Sequence, residues 1–255
     1  MAPTTPYGVA PLRVSRWGAP QTGPVDDGAQ ASVAARIPGA AALGLVPPLS
    51  ARLVPAVHLA DPERVAGLIG ARAPTVDRVT ATVWWYSVST VLLTPSLAGL
   101  VTGVPLSARL PDTAVSLLTG GLPVAAVSSA PAADLGAELR ESLAAVVAAV
   151  AEAGRMRERP LWAIATDSIA NRLLALGRAL GDVPGATALA APLAAAVGAP
   201  LPVPRYVDVG GARFTRRASC CLLYRVPHEP LCTSCPRRPP EERQILLEDA
   251  AERLA

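Results

Sequence analysis

The chain has 255 residues, of which 51% are hydrophobic but only 4% aromatic. This length is sufficient for one large domain or two small ones, so a core can form without disulfide bonds. The formal net charge of +3 is a weak excess, and no nucleic-acid-binding motif accompanies it, which argues against a DNA- or RNA-binding protein. The sequence also has no glycine-rich dinucleotide motif and no P-loop, so nothing in it indicates a bound nucleotide.

Residues 1–50 predict an irregular lead-in, because they are rich in proline and glycine and show little periodicity. The first nine residues have neither the basic nor the apolar segment of a secretory signal, so we expect a cytoplasmic protein. Thiols stay reduced in that compartment. Clustered cysteines there are more typical of a metal site or a catalytic site than of disulfides.

Residues 51–199 predict a mainly helical body. Asp61 followed by Pro62 is typical of a helix start, with Asp61 as the N-cap, and this helix should end near residue 71. A longer helix should follow from about residue 76 to 101, bent or broken near Pro95.

The segment 79–108 contains no charged residue and is long enough to cross a bilayer. In a helix, however, its hydroxyl side chains gather on one half, while the apolar residues Ala81, Trp84, Val88, Val91 and Leu92 gather on the other. This division favours a buried or amphipathic core helix over a membrane span. Peripheral contact with a membrane is the alternative that the pattern leaves open.

The rest of the body should contain a β-hairpin and three more helices. Two apolar runs within 113–128 flank Gly120-Gly121, a pattern typical of a hairpin. Further along the chain, apolar residues recur at helical spacing. The helices are expected at 134–153, at 161–180 with Gly181 as its end, and at 185–197 with an interruption at Pro192.

The proline-rich stretch 200–204 marks the boundary to a C-terminal module, 205–255. This module holds all four cysteines and closes with a helix over 241–254 that is expected to dock on the body. The docking residues are expected to be Ile245, Leu246, Ala250 and Leu254. The sequence therefore predicts a mainly α fold of the α+β type: a helical body with a small β-hairpin element and a C-terminal cysteine module.

The four cysteines, Cys220, Cys221, Cys232 and Cys235, fall within sixteen residues of one another. Cys232 and Cys235 form a C-x-x-C knuckle, whose spacing lets two thiolates converge on one metal ion. Cys220 and Cys221 are adjacent, so the backbone must kink for both to converge. Structural zinc sites are usually built from two knuckles, whereas a [2Fe–2S] cluster spreads four thiolates over two irons. The residues favour iron–sulfur over zinc, and a metal-free redox disulfide is the third alternative.

The cysteines lie in two short motifs with C-C-x10-C-x2-C spacing: Arg217-Ala-Ser-Cys220-Cys221-Leu-Leu-Tyr224-Arg225-Val-Pro227 and Leu231-Cys232-Thr-Ser-Cys235-Pro236. These motifs resemble the C-terminal signature of the FhuF-type ferric-siderophore reductases. The resemblance implies that the four cysteines bind one [2Fe–2S] cluster. It also implies a cytoplasmic protein that passes one electron to siderophore-bound Fe³⁺ and releases Fe²⁺.

This implied activity agrees with the chemistry of iron, because siderophore oxygens hold Fe³⁺ far more tightly than the softer Fe²⁺. Without a nucleotide motif in the chain, the electrons should come from a partner such as a ferredoxin, a flavodoxin or a flavin reductase. Two alternatives from other functional classes stay open. One is a zinc-stabilised interaction module, and the other is a [2Fe–2S] electron carrier or sensor that serves another enzyme.

Six arginines surround the cysteines, against a single acid, Glu229. Their charge would stabilise a reduced cluster and raise its potential, and it could guide an anionic chelate or an acidic electron donor. A solvated arginine-rich loop is an equally good interpretation. The six are Arg213, Arg216, Arg217, Arg225, Arg237 and Arg238.

The remaining candidates have simpler explanations. Four cysteines already complete a cluster, so His228 is expected at the surface rather than as a ligand, and His58 is expected to be structural. Trp84, Trp85 and Tyr86 could line a siderophore pocket, but they and Trp162 are better explained as core. Asp167 and Asn171 lie four residues apart, as in a solvated or capping pair. No nucleophile–base arrangement is evident, which argues against hydrolases and transferases.

Overall fold

A computed structural model of the protein describes residues 28–226 and 228–254. The described chain is mainly helical, with a three-stranded and a two-stranded antiparallel sheet, which confirms the predicted fold class. The helices are α1 Gly28–Ala34, α2 Pro62–Gly70, α3 Arg78–Leu92, α4 Thr94–Thr102, α5 Leu135–Ala153, α6 Arg159–Leu180, α7 Val183–Ala188, α8 Ala190–Val197 and α9 Pro240–Glu252. The strands are β1 Arg52–Pro55, β2 Thr113–Leu117, β3 Pro123–Ser128, β4 Tyr206–Val209 and β5 Ala212–Thr215.

The predicted hairpin is present and belongs to a larger sheet. Strands β2 and β3 pair on either side of Gly120 and Gly121, whose φ angles of 79° and 76° lie in the left-handed region that glycine tolerates. Strand β1 adds to the open edge of β2. The pattern did not predict β1, because a four-residue run ending in proline is too short to show alternation.

The predicted uncharged helix is broken, as expected, and its hydroxyl groups are bonded internally. Helix α3 ends at Leu92, and Pro95 lies in the first turn of α4, where its missing N–H is not needed. The hydroxyls of Thr82, Thr90 and Thr94 donate to carbonyls one turn earlier. The apolar half of α3 is buried in the core, as predicted. None of the described helices is long and apolar enough to span a membrane.

Helix α6 is the central element of the body, because it packs against α3, α4, α5 and α7. The helices predicted over 134–153 and 161–180 are confirmed within two residues, and Gly181 ends the second with a left-handed φ of 72°. The third helix is interrupted at Leu189, between α7 and α8, and not at Pro192. Pro192 is the third residue of α8, where an N–H has no intrahelical acceptor, so the ring is accommodated.

The C-terminal module contains a second hairpin, β4–β5, that was not predicted. Its turn, Gly210-Gly211, has positive φ angles at both residues. Helix α9 packs on β4 and buries Leu247 and Ala251. The predicted docking of Ile245 and Leu254 is wrong, since these side chains are 64% and 53% exposed.

The error over α9 has a simple cause. Leu247 and Ala251 lie four residues apart and share one face, whereas Ile245 lies on another face and Leu254 follows the end of the helix at Glu252. A Cβ placed on Gly210 would lie 2.9 Å from the Cβ of Ala251, so the hairpin turn approaches the helix too closely for a side chain.

Part of the predicted irregular lead-in is ordered. Residues 28–34 form α1, residues 35–50 follow it mostly as turns and bends, and residues 1–27 lie outside the described residues. The buried amide of Gln30 donates to the carbonyls of Leu45 and Ala126 and accepts from the N–H of Ser128, which fixes α1 against β3. The proposed division into 1–50, 51–199 and 205–255 stays a prediction.

Candidate metal centre

The four cysteines lie on two segments that meet beside helix α6. Cys220 and Cys221 follow β5, while Cys232 and Cys235 lie in the loop before α9. Cys221 and Cys235 are buried, Cys220 is half-buried and Cys232 is exposed. The Sγ atoms of Cys220 and Cys235 are 4.0 Å apart. Two thiolates on one tetrahedral metal lie about 3.8 Å apart when each bond is about 2.3 Å, so this pair is placed for one metal ion.

The other two sulfurs face a single guanidinium group. The Nη1 atom of Arg217 lies 3.7 Å from Sγ of Cys221 and 3.4 Å from Sγ of Cys232. Within the described part of the chain, no three His, Cys, Asp or Glu side chains converge closely enough to hold one metal ion. The four thiols are thus divided into a close pair and a second pair bridged by Arg217.

The residue that follows the adjacent cysteines, Leu222, has an unusual backbone conformation. This residue has φ 60°, in the left-handed region that leucine rarely adopts. Its N–H donates to the sulfur of Cys220. A 3-10 turn, Leu223–Arg225, follows at once. The strained residue therefore lies beside the thiols, as is common at functional sites.

A buried carboxylate on α6 holds the segment that leads into the cysteines. Asp167 is 1% exposed. Its Oδ1 accepts from the N–H of Ala218 at 2.7 Å, and its Oδ2 accepts from the N–H and the hydroxyl of Ser219 at 3.1 and 2.7 Å. Oδ2 also pairs with Nε of Arg217 at 3.3 Å. One side chain of the body thus orders three consecutive residues of the module.

Arg217 connects Asp167 to the thiols. Its side chain is 4% exposed and lies over the ring of Tyr86 at 5.0 Å. Burial by itself lowers the pKa of Arg217, but the negative charges that Tyr86, Cys221 and Asp167 carry when ionised outweigh it, and the net shift is upward. The guanidinium therefore stays charged next to two sulfurs.

Arginines of the module hold the knuckle. Arg238 donates from Nε to the carbonyl of Cys232 at 3.0 Å, donates to the carbonyl of Leu231, and pairs with Glu242 on α9. Arg243 donates to the carbonyl of Cys235 at 3.5 Å. The knuckle is thus tied to α9 rather than to the body.

Two of the thiols, Cys220 and Cys232, hold their protons more tightly than a free thiol, because their pKa values are raised. Burial raises the pKa of Cys220, the N–H of Leu222 opposes this, and the nearby Cys235 adds to the rise. Burial also raises the pKa of Cys232, against the effect of Arg217. Because metals bind thiolates rather than thiols, a metal that binds these two cysteines must displace their protons.

These residues fit an iron–sulfur cluster. Four thiols are present in two pairs, which matches a cluster that divides four thiolates between two irons. In addition, Nη2 of Arg217 is buried without a hydrogen-bond partner among the described residues. A buried charged donor without an acceptor is costly, and an electron-rich cluster bound to the adjacent cysteines would supply one.

A cavity of about 590 Å³ opens beside Cys220. Cys220 and Leu222 form its wall on the side of the module. Arg78 and Met156 belong to the wall on the side of the body. The site is therefore accessible from one side, at the half-buried cysteine.

The structure assigns different places to the other predicted residues. Arg217 and Arg238 contact the cysteine segments, whereas Arg213 pairs with Asp208, and Arg225 and Arg237 lie over Tyr224. His228 is exposed, as expected. Trp84, Trp85 and Trp162 are core residues, as expected.

Two residues were misjudged from the sequence. Asp167 is not a solvated or capping residue but the buried anchor of the site. Tyr86 lies beneath Arg217 rather than in the core alone. The one available signal was an aspartate within an otherwise uncharged stretch of helix, 160–171, which indicates a buried partner.

Comparison with protein families identifies the module. Residues 217–237 match the family model described as FhuF 2Fe-2S C-terminal domain, and the match spans all four cysteines. No curated protein matches the chain. The chain thus carries a FhuF-type C-terminal domain, as the cysteine spacing led us to expect, and the cofactor of that domain is a [2Fe–2S] cluster.

Proposed function

We propose that this protein is a ferric-siderophore reductase that transfers one electron to chelated Fe³⁺. The observation that carries the proposal is the set of four cysteines in a FhuF-type [2Fe–2S] domain, arranged as one close pair and a second pair bridged by Arg217, beside an accessible cavity. Cys220, Cys221, Cys232 and Cys235 are the proposed ligands.

Each reduction transfers one electron to one siderophore-bound Fe³⁺ ion. When bound, the cluster supplies one-electron chemistry. The electron comes from a reduced partner protein, a ferredoxin, a flavodoxin or a flavin reductase, which is oxidised by one electron. The iron goes from Fe³⁺ to Fe²⁺, and no covalent bond to the protein forms or breaks. Oxygen ligands hold Fe²⁺ much more weakly, so the metal is released.

Each residue of the site has a separate task in this proposal. The cysteines hold the cluster, and Arg217 donates N–H groups to two of the sulfurs. Hydrogen bonds and positive charge at the sulfurs favour the reduced state and so raise the potential. Asp167 is a positioning residue, because it fixes Arg217 and the backbone before Cys220.

We expect this activity in the cytoplasm, where thiols stay reduced. Contact with the inner face of the membrane stays a prediction. The uncharged segment that suggested it forms α3 and α4, and most of their apolar side chains are buried in the core.

A stoichiometric reduction tests the function. Protein purified without oxygen is reduced with dithionite, freed of excess reductant and mixed with one equivalent of a ferric tris-hydroxamate chelate in the presence of an Fe²⁺ trap. We expect about one trapped Fe²⁺ per chain, since the cluster carries one electron, while metal-free protein treated in the same way should yield none. A reduced protein that delivers no electron to hydroxamate, catecholate or carboxylate chelates would instead favour a carrier or sensor.

A further inference from the structure

The cavity beside Cys220 is lined by three arginines of the helical body. Arg78 is the first residue of α3, while Arg155 and Arg157 lie in the loop between α5 and α6. All three are exposed, and none forms a salt bridge or a side-chain hydrogen bond among residues 28–226 and 228–254. No aspartate or glutamate lines the cavity. Three guanidinium groups without counter-charges thus face one concave space.

The backbone holds two of these arginines in place. Gly154 presses against α3, because a Cβ added to it would lie 2.5 Å from the Cβ of Ala81. Arg155 follows with φ 48°, an uncommon conformation for arginine, and its N–H donates to the carbonyl of Glu152 at 3.1 Å. A strained residue in a tight turn is kept only where its surroundings impose it. The turn therefore fixes the arginine pair beside the start of α3.

The remaining walls suit a small molecule. Met156, Pro160 and Leu222 give the cavity apolar surface between the arginines. Its volume of about 590 Å³ lies within the range of about 300–1,000 Å³ that is typical of ligand pockets. An acidic partner protein would contact arginines on a flat or convex surface. These three arginines line a concave cavity, which favours a small ligand instead.

From these observations we infer that the cavity binds anionic ferric chelates, of the catecholate or carboxylate class, through Arg78, Arg155 and Arg157. This inference rests on the proposed reductase function and adds to it the class of substrate and the side of approach. Cys220 is the cysteine that lines the cavity. A chelate bound there lies against a proposed cluster ligand, and electron transfer falls off steeply with distance.

Binding can be measured apart from reduction by replacing Fe³⁺ with Ga³⁺, which keeps the charge and geometry of the chelate but accepts no electron. The probes are a trianionic gallium tris-catecholate and a neutral gallium tris-hydroxamate, each titrated calorimetrically into the cluster-loaded protein. The test variant is the triple substitution Arg78→Gln, Arg155→Gln, Arg157→Gln. The matched control is Arg36→Gln, Arg72→Gln, Arg109→Gln, which removes equal charge from exposed sites that do not line the cavity.

We expect the test variant to weaken binding of the trianionic chelate about 10- to 100-fold and the control variant to leave it nearly unchanged. The neutral chelate should respond little to either variant. The single substitution Arg157→Gln, with a smaller expected loss, serves if the triple variant does not fold. Equal losses in test and control variants, or no loss in either, would overturn the inference.

The inference and the reductase function fail separately. A protein that reduces ferric chelates, but whose gallium-chelate affinity does not depend on the three arginines, contradicts the inference alone. Arginine-dependent gallium binding without any reduction of the ferric chelate contradicts the function alone. If the test variant loses only electron uptake from its donor protein, the cavity is a donor site and the inference is wrong.

Discussion

Cys220 and Cys221 are held to the helical body by a buried carboxylate, whereas Cys232 and Cys235 are held within their own module by arginines that bond to backbone carbonyls. The carboxylate of Asp167 accepts bonds from three consecutive residues and is 1% exposed. Arg238 pairs with Glu242, which is about half exposed. Breaking a buried charge pair costs much more folding free energy than breaking an exposed pair. The first half of the site should therefore be formed before metal binds, and the second half should be completed by the metal.

The largest effect should come from removing a ligand. Cys235 is the buried member of the close pair. The substitution Cys235→Ser should abolish nearly all cluster content, because serine does not replace a thiolate ligand well. Iron and acid-labile sulfide are measured per chain after anaerobic purification. Thr233→Ala, which changes an exposed residue inside the same knuckle, should retain full content. A Cys235→Ser protein with a full cluster and full activity would remove this residue from the ligand set.

The next effect should follow the loss of the carboxylate anchor. Asp167→Ala leaves the Arg217 guanidinium buried without its partner, so the free energy of unfolding should fall by roughly 3–5 kcal/mol. Chemical denaturation of the metal-free protein measures it. The matched control is Asp208→Asn, which breaks the exposed pair with Arg213 and should cost less than about 1 kcal/mol. A similar loss of unfolding free energy in Asp167→Ala and Asp208→Asn would contradict the stronger anchoring of the Cys220-Cys221 segment.

Replacing Arg217 should change the reduction potential of the cluster more than it changes the structure of the knuckle. Arg217→Gln removes the charge beside Cys221 and Cys232, so the reduction potential should fall by about 60 mV or more, which is a tenfold change for a one-electron couple. A redox titration monitored by EPR measures it. Arg237→Gln removes an exposed charge that lies over Tyr224 and should shift the potential much less. An unchanged potential in a cluster-loaded Arg217→Gln protein would exclude the proposed tuning.

A smaller effect is expected in the second half of the site. Arg238→Ala removes the bonds to the carbonyls of Leu231 and Cys232 but leaves the thiols in place. The protein should load its cluster and then lose it several times faster in the presence of a chelator, as outer-shell contacts stabilise metal sites by about 10- to 100-fold. The decay of the visible absorption gives the rate. Cluster loss from Arg238→Ala at the rate of the unsubstituted protein would contradict this role of the arginine.

The smallest effect concerns the body alone. Burial of the Glu138 carboxylate raises its pKa. Hydrogen bonds from the N–H groups of Ala108, Ala133 and Asp134 lower the pKa by a larger amount, so the net pKa is below the usual 4.5. This group should therefore stabilise the fold fully above the unfolded pKa, and the contribution should vanish as the pH falls through the folded pKa. Glu138→Gln should flatten the dependence of unfolding free energy on pH in that acidic range. An unchanged slope would contradict this account.

Sequence reasoning predicted the elements that carry clear patterns. Asp61 is the N-cap where expected, the helix expected over 134–153 begins within one residue of that range, and the cysteine spacing indicated the cofactor of the domain. The β4–β5 hairpin was missed although Gly210-Gly211 gave a usable signal, and the face of α9 was misassigned because its apolar residues lie on two faces.

The anchoring of the site could not be predicted, because it depends on contacts between distant segments. Asp167 and Ser219 are 52 residues apart, and nothing local to Asp167 shows that three residues beyond β5 will surround it. The arginines of the cavity are distributed in the same way, at the start of α3 and after α5. Packing of the module on α6 brings Asp167 and Ser219 together, and packing of Gly154 on α3 brings the arginines together.

The most direct test of the cysteine assignment is metal analysis combined with EPR on the anaerobically purified protein. Cys₄ ligation of one [2Fe–2S] cluster predicts about two irons and two sulfides per chain, little zinc, and an axial or rhombic EPR signal after dithionite reduction. A colourless protein with about one zinc per chain and no sulfide would contradict it and would indicate a zinc-stabilised module instead.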